Sequence, residues 1–207
     1  MNNVLAFLHQ GGWVMWPLLI LFVLTIGIVF ERAITFKKMF AVDPEELLEE
    51  VKSAYSAEDG GKKAIDLLSE AKTPFARIFT RGIKNAAKPA DNIDLAMSQE
   101  AGNEIPTMEN YLPGLKTIVG IAPLLGLLGT IAGMIISFKE VASHGLSSPT
   151  AVMSGVSEAL VSTATGIGIA IIALIFYNYF ASLVKKTIED IEYYGAELTN
   201  FLTGRIV

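Results

Sequence analysis

"ALVSTATGIGIAIIALIFYNYFASLV", residues 159–184, runs for 26 residues without a charged side chain, and a single glutamate, Glu158, stands directly before it. At 1.5 Å of rise per residue, a helix of that length exceeds the ~20 residues needed to cross a ~30 Å hydrocarbon core. Two further runs share the property: residues 11–30 give 20 uncharged positions and residues 117–138 give 22. The chain of 207 residues is 52% hydrophobic and 18% charged, with a mean hydropathy of +0.48, which is the composition of a membrane protein. The sequence therefore predicts an all-α integral membrane protein with three transmembrane helices.

Orientation follows from the basic residues. None precedes the first run, eleven lie between the first two runs with Lys116 at the boundary, Lys139 alone follows the second, and Lys185, Lys186 and Arg205 follow the third. Fifteen of the 16 share one side, so the positive-inside rule places the N-terminus outside and the C-terminus inside. The predicted organisation is a periplasmic N-terminus at 1–10, transmembrane helix 1 at 11–30, a cytoplasmic helical segment at 31–116 and transmembrane helix 2 at 117–138. A periplasmic loop at 139–149, transmembrane helix 3 at 150–184 and a cytoplasmic tail at 185–207 follow. Trp13 and Trp16 suit the outer interface, and Tyr177 and Tyr179 the inner one. The first run lacks a basic n-region and is followed by Glu31 and Arg32 rather than a small-residue cleavage site, so it reads as a retained anchor.

The segment between the first two spans is punctuated as helix. In "VDPEELLEEV", Asp43 is an N-cap candidate, Pro44 takes the first helical position and Glu46 the third. Thr73 and Pro74 repeat the device, and Phe75, Ile78, Phe79 and Ile83 fall on one face, which predicts a core for this extension. The pattern from Asn92 is helical again, interrupted by Pro106 and Pro113.

Small residues recur at helical spacing in the second and third spans. Ala122 and Gly126 are four apart, as are Gly129, Gly133 and Ser137, and Gly155, Ala159, Ser162, Gly166 and Ala170 follow the same rule. Such faces let helix backbones approach closely in lipid. Three helices enclose little interior, so the sequence predicts that Gly126, Gly129, Gly133, Gly155 and Gly166 pack helices of neighbouring copies in a homo-oligomer. The first span has little of this pattern and reads as a lipid-facing outer helix.

Several functions are disfavoured. No cysteine is present, so disulfides, thiolate metal sites and cysteine nucleophiles are excluded. His9 and His144 are isolated and give no metal site, "GVSEA" at 155–159 is an incomplete G-x-S-x-G, and no P-loop occurs, so the chain reads as a non-enzyme without cofactors. The net charge of −5 does not suggest a nucleic-acid binder.

"APLLGLLGTIAGMI" at 122–135, followed by "SEALVSTATGIGIAIIALIFYNYF" at 157–180, resembles the paired signature of the ExbB/TolQ/MotA family of proton-channel subunits, most closely its ExbB/TolQ branch. "GGWVMWPLLILFVLTIGIVFER" and the three-helix layout with the N-terminus outside support the resemblance. It implies a bacterial inner-membrane protein forming a pentamer-like ring, in which Thr130, Glu158 and Thr163 line an ion pathway and Ser162 and Thr165 serve the pathway or the packing. It further implies an ExbD/TolR-like single-span partner with a membrane aspartate and a TonB/TolA-like protein that is energised by ion flow. The family often reads A-I-P-A in the third helix; here the residues are Ala170, Ile171, Ile172 and Ala173, which remove an expected helix distortion.

Glu158 admits two readings. Ser148 as N-cap and Pro149 at the first helical position would set it roughly 13 Å down the third helix, in the outer leaflet. An ionised carboxylate costs at least ~2.5 kcal/mol in lipid, so it faces protein or a wet cavity. It is then either an ion-pathway group or a structural carboxylate hydrogen-bonded between subunits. The threonines likewise either line the pathway or satisfy their own backbone carbonyls. A passive oligomeric scaffold and a motility stator stand as alternative functions. A proton relay needs a titratable group deep in the membrane, and no Asp, Lys or Arg lies within a span while Glu158 falls in the outer leaflet, so another chain should supply it.

Overall fold

The computed structural model describes residues 10–144 and 149–205, and every regular element among them is a helix. In chain order these are α1 (Met15–Met39), α2 (Pro44–Ala54), α3 (Lys62–Ala71), α4 (Pro74–Lys84), α5 (Ala90–Glu109), α6 (Leu112–His144) and α7 (Pro149–Thr203). Three helical stretches, containing α1, α6 and α7, are long and apolar enough to cross a membrane. The proposed N-cap Ser148 lies outside the described residues.

The chain divides into two compact units, to both of which α1 and α7 contribute. The first comprises Met1–Glu31 and Tyr111–Tyr179, the apolar parts of α1, α6 and α7. Its core joins Val14, in the turn before α1, and Met15 and Leu18 of α1 to Leu115, Ile118 and Ala122 of α6 and to Ile169, Ala170 and Ala173 of α7. The remaining faces are greasy and exposed: Ile20, Val23 and Phe30 on α1, Leu124 and Ile131 on α6, and Leu160 and Ile175 on α7. Exposure of that kind is stable in hydrocarbon and costly in water. Lys116 Nζ lies 5.9 Å from the centroid of the Tyr177 ring, a cation–π contact at the end of the apolar stretch, where amphipathic side chains suit a membrane interface.

The second unit, Arg32–Asn110 with Phe180–Val207, is a water-type bundle. Asp43 caps α2 by accepting from Glu45 N at 2.9 Å, and Thr73 caps α4 by accepting from Ala76 N at 3.2 Å. Phe75, Ile78, Phe79 and Ile83 are all buried on one face of α4, as their spacing predicts. Glu104 of α5 is nearly buried and is held by a fork from Arg77 Nε and Nη2 at 2.5 Å each; this carboxylate also holds the Arg77 guanidinium above its usual pKa. Buried Arg32 donates to the carbonyls of Thr107 and Met108 at 3.2 and 3.3 Å, placing a cation at the C-terminal end of α5 where the helix dipole favours it. Pro106 is accommodated inside α5, and the break comes at Asn110 and Tyr111, the latter at φ 63°; Pro113 then falls in the first turn of α6, where its missing N–H costs nothing.

The third long helix continues to Thr203, well past the charge-free run. Ile191 and Leu198 carry an apolar stripe through its polar end. The helix closes in a Schellman motif: Gly204 at φ 67° donates to Phe201 O at 3.2 Å, and Arg205 N donates to Asn200 O at 2.9 Å. Residues 170–173 sit inside this uninterrupted helix, in keeping with Ile172 where a proline would remove a backbone donor.

Candidate functional site

The five glycines singled out in the sequence form the crossing of α6 and α7. A Cβ placed on Gly133 would lie 2.5 Å from Gly155 O, and one on Gly155 would lie 2.7 Å from Gly133 O and 2.1 Å from Ser137 Oγ. At Gly166 the obstruction is Ala122 O at 2.5 Å, and at Gly126 it is the Ser162 carbonyl and Thr163 Cα at 3.0 Å. Gly129 would meet Ser162 Oγ at 2.2 Å. The small-residue faces therefore meet each other within one chain. This corrects the expectation that they pack against neighbouring copies: two long helices of the same chain, tethered by a short connection, reach each other first.

Each of the hydroxyls has a backbone acceptor, and those of Ser162 and Thr163 lie at this crossing. Thr163 Oγ1 donates across the crossing to Gly126 O at 3.0 Å; in an α-helix that carbonyl is also the acceptor for the N–H of Thr130, four residues on. Thr130 Oγ1 donates to Leu127 O at 2.7 Å, and Thr165 Oγ1 to Val161 O at 2.8 Å. Ser162 is fully buried, donating to Ala159 O at 2.9 Å and lying 3.4 Å from Gly126 O. The Thr163 hydroxyl thus bridges α7 to α6, the Thr130 hydroxyl is satisfied within α6, and Ser162 is buried where the two helices meet. Thr130, Thr163 and Thr165 are half-buried.

Glu158 is not at this cluster. It is half-buried one turn closer to the start of α7, and its carboxylate lies against the turn that leads into α1. A Cβ on Gly12 would lie 1.7 Å from Glu158 Oε1 and 2.6 Å from its Cδ. Gly12 has φ 71°, a left-handed conformation that a side chain would strain, and its carbonyl accepts from Met15 N at 3.1 Å to begin α1. The first turn of a helix carries amide groups without intrahelical acceptors, a setting that favours an anionic neighbour. The sequence reading did not single out Gly12. Two adjacent glycines, Gly11 and Gly12, at the head of an apolar run were the available signal, because glycine is a poor residue to begin a helix with unless backbone conformation or space demands it.

Residues 70–193 match the MotA/TolQ/ExbB proton channel family, more than half of the chain. The chain belongs to that family. It is 34% identical over 178 residues to the ExbB-like 3 protein of Synechocystis sp., covering 85% of this chain and 84% of that protein. It is 29% identical over 122 residues to the biopolymer transport protein ExbB of Xanthomonas campestris, covering 59% of this chain and 48% of that protein. It is 32% identical over 108 residues to the Tol-Pal system protein TolQ of Haemophilus influenzae, covering 52% and 46%. With three apolar helices, this member of the MotA/TolQ/ExbB proton channel family is a multi-pass membrane protein, and its named relatives are ExbB-like, ExbB and TolQ proteins. Thr130, Glu158 and Thr163 lie inside the matched stretch, and Gly12 lies ahead of it.

Proposed function

We propose that this chain is the ring-forming subunit of an inner-membrane motor driven by the proton-motive force, with the N-terminus outside and five copies surrounding two copies of a single-span ExbD/TolR-like partner. The partner supplies a membrane aspartate, and ion flow past it energises a TonB/TolA-like protein. The observation carrying this reading is the Thr163 hydroxyl of a family member donating to Gly126 O across the crossing; beside it stand Thr130 on α6 and, one turn away, Glu158 at the head of the longest uncharged run, with no Asp, Lys or Arg in the spans to complete a relay. Alternate protonation of the partner's aspartate would make and break its attraction to these groups and turn the inner helices relative to the ring. Since the faces rich in glycine are occupied within the chain, ring contacts fall to the exposed apolar faces of α6 and α7. The chain itself has no catalytic role in this scheme and needs no cofactor.

One observation favours the passive scaffold: the hydroxyls of Thr130, Ser162, Thr163 and Thr165 all have backbone acceptors, as structural hydroxyls in membrane helices do. Proton flux into liposomes containing the chain and its one-span partner separates the two readings. Glu158→Gln keeps size and removes titration, so flux falls at least about tenfold while complex mass is unchanged. Wild-type flux in that variant rejects the charge of Glu158 as a pathway element. Thr130→Val and Thr163→Val remove hydroxyls but keep shape; wild-type flux in both would take the hydroxyls out of the path.

A further inference from the structure

The turn before α1 is built around the Glu158 carboxylate. Gly12 adopts φ 71°, and the space its side chain would fill is taken by Oε1, Cδ and Cγ of Glu158, 1.7, 2.6 and 3.1 Å from an added Cβ. Gly11 packs the same turn onto α7, where an added Cβ would lie 3.2 Å from Val161 Cγ1. Val14 and Met15, just beyond, are buried in the core shared by α1, α6 and α7, and Met15 N and Trp16 N close the turn on Gly12 O and Trp13 O at 3.1 and 3.2 Å. The turn is therefore anchored on both sides of the contact and cannot retreat without disturbing the core.

We propose that Gly12 is a positioning residue for Glu158: the missing side chain at residue 12 lets the turn before α1 close against the carboxylate and fix its place at the outer end of the pathway. This inference rests on the reading of Glu158 as an ion-pathway group. It gives the entry to α1 a second role beyond anchoring, because any movement of that turn displaces the carboxylate. An added methyl at residue 12 must push the carboxylate away, whereas shortening Glu158 by one methylene withdraws the carboxylate and relieves the contact.

Two measurements test it. The first reads position without function: the full-length chain in detergent is treated with a hydrophobic carbodiimide, and modification of Glu158 is followed by peptide mass. Gly12→Ala should label at least about threefold faster than wild type, while Gly27→Ala, whose added Cβ meets nothing within 4 Å, should label at the wild-type rate. An unchanged rate in Gly12→Ala overturns the proposal even if Glu158 proves essential for flux. The second measurement is proton flux with the one-span partner present. Gly12→Ala should lower flux at least about fivefold in the wild-type background and less than about twofold in the Glu158→Asp background. Equal losses in both backgrounds would mean that backbone strain alone is responsible, and the positioning role fails. If Gly12→Ala does not assemble, recovery of complex mass on adding Glu158→Ala supports the contact, and persistent failure overturns it. Faster labelling together with wild-type flux in Glu158→Gln would leave the positioning intact and remove the pathway reading beneath it.

Discussion

Arg77 and Glu104 show what a single pair contributes when one partner is nearly buried. The Glu104 side chain is 12% exposed and takes both prongs of the Arg77 fork, while Arg77 itself is 47% exposed. Removing the arginine leaves a carboxylate in a poorly solvated place, so Arg77→Ala should lower stability by about 1–3 kcal/mol, towards the lower end because solvent reaches the arginine side. Arg77→Lys keeps the charge and loses the fork, and should fall between. Chemical denaturation of the detergent-solubilised chain checks the order; equal midpoints for all three proteins would show that the pair contributes nothing. Neither partner of this pair was visible in the sequence, since residues 77 and 104 sit on different helices and only packing brings them together. Asp43 and Thr73 were legible because a cap is satisfied by backbone two or three residues away.

At the scale of the element, the crossing of α6 and α7 sets the tolerance of the membrane unit to substitution. Gly133 and Gly155 face each other's carbonyls, so Gly133→Leu must drive two backbones apart, at a cost of about 3 kcal/mol or more. Gly27 on α1 has open space around it, and Gly27→Leu should change stability by less than about 1 kcal/mol beyond the modest gain in helix propensity. Thermal unfolding followed by the fluorescence of Trp13 and Trp16 reports both. A wild-type transition in Gly133→Leu would show that the crossing is looser than its contacts imply. The sequence disclosed the small faces by their spacing of three and four but not their partner, because a packing face of this kind serves an intrachain or an interchain crossing equally well.

For the whole molecule, the asymmetry of basic residues makes orientation testable. The chain has no native cysteine, so single cysteines at Asn3, Ser147 and Asn200 can be probed in intact cells with a membrane-impermeant thiol reagent. The proposed orientation predicts labelling at Asn3 and Ser147, both outside the described residues, and protection at Asn200. Labelling at Asn200 in intact cells would invert the assignment of outside and inside.

The amino-acid sequence by itself determined the three apolar helices, through their charge-free runs, and the helical character of the segment between the first two, through its caps and spacing. Lipid offers no water to backbone groups and no solvation to charge, so a spanning segment must announce itself as a long uncharged run. Local rules likewise exposed the caps of α2 and α4 and the buried face of α4. Only the tertiary structure decided that the glycine faces close on each other within the chain, that Thr163 reaches Gly126 O, and that Glu158 lies against Gly12. The same holds for the continuation of α7 to Thr203, where an apolar stripe replaces the continuous greasiness of the span. These features depend on contacts between residues far apart in the chain, and helical periodicity specifies which face of a helix is buried without specifying what it is buried against.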